Sequence, residues 1–161
     1  MNIFYLSKSP EKAATYMYNK HVVKMILESA QLLCTAHIQL DGDINYVPYK
    51  ATHKNHPSAI WVRECDKNYL WLYDHMIALG YEYTRRYGKK HLTITKCEEI
   101  LFFLPKNIAI SDKTTEMPQC MPDQYKVKGD SVSAYWNYYE QEKHSVRNSN
   151  ENIITRQIAI N

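Results

Sequence analysis

The chain has 161 residues, a formal charge of +3 and only four glycines. That length supports one domain with a core of its own, needing no metal or disulfide staple, and so modest a charge does not by itself mark a nucleic-acid binder. No GxGxxG, P-loop or GxSxG pattern occurs, which excludes nucleotide binding by the first two devices and designates no serine or cysteine nucleophile. Cys34, Cys65, Cys97 and Cys120 are widely spaced and form no CxxC pair, so they read as reduced thiols of a cytosolic protein. No apolar run approaches a membrane span, and MNIFYLSKSP lacks the apolar region of a signal peptide.

In chain order, residues 2–6 suit a short strand or an extended arm. Ser9-Pro10 opens a first helix, since serine caps and proline is tolerated in the first turn; it is expected to run to about Asn19 and pass into a central helix ending near His37. On that central helix His21, Lys24, Glu28, Gln31 and Thr35 fall within an arc of roughly 80°. The remaining circumference is apolar, from Val22 and Val23 through Leu27 to Ala36, which predicts burial on most sides. The polar stripe then either meets solvent or an internal ion pair, or walls a site in which Glu28 is flanked by His21 and Lys24.

Asp41-Gly42-Asp43 marks a turn, followed by a loop rich in tyrosine and lysine. Pro57 suits a first helical turn and Gly88 a helix stop, with one long helix or two broken near Cys65 between them. Thr93 to Leu104 reads as a shorter helix, 105–125 as a long ordered loop with three prolines, and Asp130 as the cap of a last helix, SVSAYWNYYEQEKH. The expectation is an all-α fold: a single compact helical domain over 1–144, with a buried central helix, a long second helix and extended loops, then a tail over 145–161.

The basic residues cluster at Lys50 and Lys54, at Arg85, Arg86, Lys89 and Lys90, and at Lys126 and Lys128. The second cluster exceeds what a helix C-terminus requires and suits a phosphate-bearing partner. Fourteen tyrosines and three tryptophans against three phenylalanines select aromatics with a hydrogen-bonding handle, which suit bases beside phosphates but also pack at helix interfaces. His53, Lys54, Asn55 and His56 stand just before a helix N-terminus, where anions are favoured, with Arg63 further along the same helix. The HxxH spacing lacks a third ligand, so no metal and no cofactor is expected. The chemistry open to these residues is acid/base work by His21, Glu28 and the loop histidines, Schiff-base formation by an amine such as Lys24, or none.

The order of KHVVK at 20–24, HKNHPSAIWV at 53–62 running into NYLWLYDHMIALGYEYTRRYGK, and AYWNYY at 134–139 resembles the small helical pyrimidine-dimer DNA glycosylases of the endonuclease V type carried by phages. The KHVVKMILESAQLL and HKNHPSAIWVR segments are also similar to proteins of marine phages, over most of the chain. The resemblance implies an N-terminal arm, base excision through an amine nucleophile and a carboxylate, a DNA partner, and action in the cytoplasm of an infected host cell. In that family the nucleophile is the amine of the second residue and the acid directly follows a basic residue. Here those places hold Asn2 and His21, with Glu28 two turns further on.

Two functional readings stand side by side. In one, Glu28, His21 and Lys24 carry base excision while His53, Lys54, Asn55, His56, Arg63, Arg85, Arg86, Lys89 and Lys90 hold the phosphates. In the other, the same frame is an inactive relative that sequesters a small phosphorylated nucleotide, such as a host immune signal, or cleaves it with His53 and His56. Exposed aromatics on the last helix would permit a homodimer.

Overall fold

The structure, a computed structural model, describes residues 1–42 and 44–142; the expected tail over 145–161 lies outside the described residues. Six helices and no strand are present among them: α1 (Pro10–Thr15), α2 (Asn19–Asp41), α3 (Pro57–Glu64), α4 (Asp66–Tyr87), α5 (Leu92–Leu101) and α6 (Ser131–Glu142), with a 3₁₀ turn at Asp123–Tyr125. The fold is all-α, as expected. Residues 2–6 form an arm, not a strand, with Ile3, Phe4 and Leu6 buried in the core.

Helix α4 packs against α1, α2, α3 and α5. It runs antiparallel to α2, because Arg86 at its end meets Asn19 at the start of α2 while Tyr69 near its own start meets His37. It is antiparallel to α5 as well, with Tyr73 donating to the Glu98 carbonyl and Tyr69 to the Leu101 carbonyl.

Local chemistry explains most boundaries. Ser9 accepts from the Lys12 amide to cap α1, and Asp130 accepts from the Ser133 amide at the start of α6. Gly88 ends α4 in the left-handed region, φ 70°, where a side chain would be strained. Of the two alternatives around Cys65, the structure shows the break: Cys65 is extended, and the Asp66 amide donates to the Ala109 carbonyl of the long loop instead of continuing α3.

The first helix differs from expectation. It stops at Thr15 because Arg86 binds the carbonyls of Thr15 and Met17 and the Tyr139 hydroxyl accepts the Tyr18 amide, so tertiary partners take the backbone groups a continuous helix would use. The face of α2 also differs. Val23 and Leu27 are more than a third exposed, beside Lys20 and Lys24, whereas His21 and Thr35 turn inward. His21 stacks on Phe4 at 4.7 Å and hydrogen-bonds the Tyr139 hydroxyl at 2.7 Å, and the Thr35 hydroxyl donates to the Gln31 carbonyl. Buried polar groups with such partners are satisfied structural elements, and the apolar Val23 and Leu27 take the outer positions they vacate.

Candidate functional site

The site is assembled from the arm, the middle of α2 and the start of α3. The arm is fixed by Asn2, whose carboxamide oxygen accepts from the Ile3 and Phe4 amides and whose nitrogen donates to the Cys120 carbonyl at 3.0 Å. The Cys120 thiol in turn meets the Ser58 hydroxyl in the first turn of α3. The head of the chain and the α3 N-terminus therefore hang on one loop residue.

His56 caps α3, accepting the Ser58 amide on Nδ1 at 3.1 Å. An accepting Nδ1 leaves the proton of the neutral ring on Nε2, as a donor. Burial holds the His56 pKa below the ordinary imidazole value. The positive charges of the Met1 ammonium and His53 push the same way, and the carboxylate of Glu28 opposes them. The charges of an amine from residue 1, a histidine from the loop and a carboxylate from α2 thus all act on one imidazole.

Glu28 is largely covered and pairs with Lys24 at 3.2 Å, one helical turn earlier. The loop carrying His53 is clamped on α2, since the Thr52 amide donates to the Thr35 hydroxyl at 3.0 Å. His53 itself has a φ of 48°, which few residues other than glycine and asparagine adopt readily, and its Nδ1 meets the Thr52 hydroxyl at 2.7 Å. Lys54 and Asn55 form the turn, and Arg63 donates to the Lys54 carbonyl at 2.7 Å, bracing the loop from α3.

Of the residues singled out in the sequence, Lys24, Glu28, His53, Lys54, Asn55, His56 and Arg63 are brought together. His21 lies two turns from Glu28 in the aromatic cluster of Phe4, Tyr18 and Tyr139. Arg85 and Arg86 both bind Glu82, and Arg86, only 15% exposed, also holds the Asn19 side chain. Asn19 precedes Glu28 by nine residues, roughly 13 Å of helix. Lys90 is paired with Glu98. The sequence drew attention to Asn2 only for its amine; the anchoring by its side chain and the contributions of Ser58 and Cys120 were not singled out, and an asparagine able to fold back on the following amides was the one local sign of a fixed arm.

Two clefts on the surface, one between α4 and α5 and one beside Tyr5 and Trp71, are lined by other residues. The site offers an amine, a carboxylate, two imidazoles and basic side chains.

A family model described as pyrimidine dimer DNA glycosylase matches residues 1–95. The chain belongs to the pyrimidine dimer DNA glycosylase family. No curated protein and no solved structure matches it. The glycosylase match spans the arm, α1 to α4 and the start of α5, and so contains every group of the site just described apart from the supporting Cys120. Among the described residues no group of three or more His, Cys, Asp or Glu is arranged to hold a metal.

Proposed function

We propose that this glycosylase-family chain excises a damaged pyrimidine from duplex DNA through the α-amine at the head of its arm, with Glu28 as the assisting carboxylate. The observation that carries this reading is that Asn2 donates to the Cys120 carbonyl while the Cys120 thiol meets Ser58, whose amide His56 caps, so the head of the chain is tied to the start of α3; the charges of the Met1 amine and of Glu28 both act on that imidazole. The amine is that of Met1 as it stands, or of Asn2 if Met1 is removed, and the anchored Asn2 side chain holds either one in place.

In the proposed step the amine nitrogen attacks C1′ of the nucleotide while the bond from C1′ to the base breaks. The base leaves with the bonding electrons and takes up a proton, and the amine gives its own proton to Glu28. Opening of the sugar then yields an imine, which hydride reduces. His56, neutral and donating from Nε2, supplies a hydrogen bond to the departing base or a phosphate oxygen, while Lys24, Lys54 and Arg63 hold the backbone.

The test is borohydride trapping on a duplex carrying a thymine dimer. Wild type should form a covalent adduct, mapped by mass spectrometry to the N-terminal residue and not to Lys24. Glu28→Gln should remove trapping while leaving the fold intact, at a cost on the order of 100-fold or more in rate. A wild-type protein that binds the duplex without any adduct would overturn the excision mechanism. Release of an intact small phosphorylated nucleotide on denaturation would point instead to sequestration.

A further inference from the structure

A groove of about 570 Å³ lies between α4 and the end of α5, and shares no residue with the candidate site. Its walls are aromatic: Tyr73 and Tyr81 from α4, Phe102 and Phe103 from the residues after α5. Tyr81, Phe102 and Phe103 are 74%, 63% and 70% exposed. Phe102 stands edge-on to both Tyr73, at 6.0 Å, and Phe103, at 5.6 Å, so the rings form a preassembled surface and not three isolated side chains. Clustered exposed aromatics of this kind are uncommon on a surface that serves no partner.

The charged members of the groove are all acidic. Asp74, Glu98 and Glu99 line it, and of these Glu98 is paired with Lys90 while Asp74 and Glu99 have no cationic partner among the described residues. Partial burial and, to a lesser extent, the nearby Glu11 raise the Asp74 pKa. Phosphate is repelled by such a surface, so nucleic acid is not its occupant. The α5 half of the groove lies beyond the residues matched by the family model.

We propose that this groove docks a basic amphipathic segment of a partner protein, its apolar side chains on Phe102, Phe103 and Tyr81 and its lysine or arginine side chains against Asp74 and Glu99. Charge complementarity selects the occupant: cations gain from both the carboxylates and the faces of the rings, and an amphipathic helix presents apolar and charged groups at the spacing that a groove between two helices accepts. The proposal does not depend on the excision chemistry.

The probe is a fluorescein-labelled helical peptide with leucine on one face and lysine on the other, compared by anisotropy with a version carrying glutamate for lysine. Wild type should bind the lysine peptide and not the glutamate peptide. Phe103→Ser, and separately the double variant Asp74→Asn with Glu99→Gln, should each weaken binding roughly tenfold or more, while circular dichroism and lesion-duplex binding stay unchanged. Equal binding of both peptides, or unaltered binding of the lysine peptide by both variants, would overturn the proposal. So would a concentration-dependent dimer in sedimentation that Phe103→Ser abolishes, since the groove would then be occupied by a second copy of the chain.

Discussion

His75 is wholly enclosed within α4, stacked on Trp71 at 5.0 Å, with its Nδ1–H donating to the Pro10 carbonyl at 2.9 Å. Its Nε2 is buried with no hydrogen-bond partner among the described residues. Burial drives the pKa down to about 4, against smaller opposing effects from the Pro10 carbonyl and Glu11. The unfolded ring titrates near 6.5, so between about pH 6.5 and 4 the unfolded chain binds more protons than the folded one. Stability should therefore be full above that window and fall as pH drops through it, by roughly 3 kcal/mol in all. Urea unfolding of wild type and His75→Gln across this range checks the point: the wild-type stability should fall more steeply, and parallel curves would show that the buried imidazole contributes nothing. His37, His56 and His91 are also shifted down by burial, but their effects cancel in the difference. His37, also buried, is by contrast partnered on both ring nitrogens, between the hydroxyls of Tyr46 and Tyr69. A histidine on an apolar face looks the same in sequence in both cases.

Between elements, α4 and α5 approach closely at Gly80. A Cβ placed on Gly80 would stand 2.8 Å from Ile94 Cγ1 and 2.9 Å from its Cδ1, and Ile94 is itself buried. Alanine would gain about 1 kcal/mol of helix propensity over glycine, but overpacking a closed interface costs typically 1–3 kcal/mol. Gly80→Ala should thus lower the thermal midpoint, and Ile94→Ala in the same chain should recover part of the loss. A double-mutant cycle showing no coupling between the two positions would mean that α5 simply shifts aside. The extended segments are held by a second device: each tryptophan donates its indole N–H to a backbone carbonyl outside the helices, Trp61 to Thr115, Trp71 to Lys8 and Trp136 to Leu6. Tyr135 does the same to Pro118. The abundance of aromatics with polar handles is thereby accounted for in good part by the length of irregular backbone that must be satisfied.

At the scale of the whole molecule, charge is divided between faces. Lys24, Lys54 and Arg63 gather around the candidate site, whereas Asp74, Glu98 and Glu99 gather at the aromatic groove. Arg86 is spent internally, holding Glu82 and the junction between α1 and α2. A duplex bound through about four phosphates should lose affinity roughly 100-fold when salt rises from about 50 to about 200 mM. A titration against salt concentration measures that slope, and removing Arg63 should reduce it by about one unit where removing Lys90, already paired with Glu98, leaves it nearly unchanged. Equal losses from both positions would spread the contact over the full surface. No described helix is long and apolar enough to cross a membrane.

Much of the fold was legible because its signals are local. Pro57 after a capping His56, Asp130 before the last helix, and Gly88 in the left-handed region all act through neighbours within a turn. The pairing of Lys24 with Glu28 follows likewise from helical spacing. Helical periodicity alone left open whether the chain breaks at Cys65, because the break rests on the carbonyl of Ala109, far along the chain. The end of α1 at Thr15 was hidden for the same reason, since Arg86 and Tyr139 supply the competing partners. The inward turn of His21 and the exposure of Val23 and Leu27 depended on where Phe4 and Tyr139 come to rest. By itself the sequence determined the helical class, the caps and the basic and acidic residues available. Only the tertiary structure decided which of them meet, because the ties of Asn2 and Ser58 to Cys120, which fix the arm beside the start of α3, are long-range contacts that no periodicity or propensity encodes.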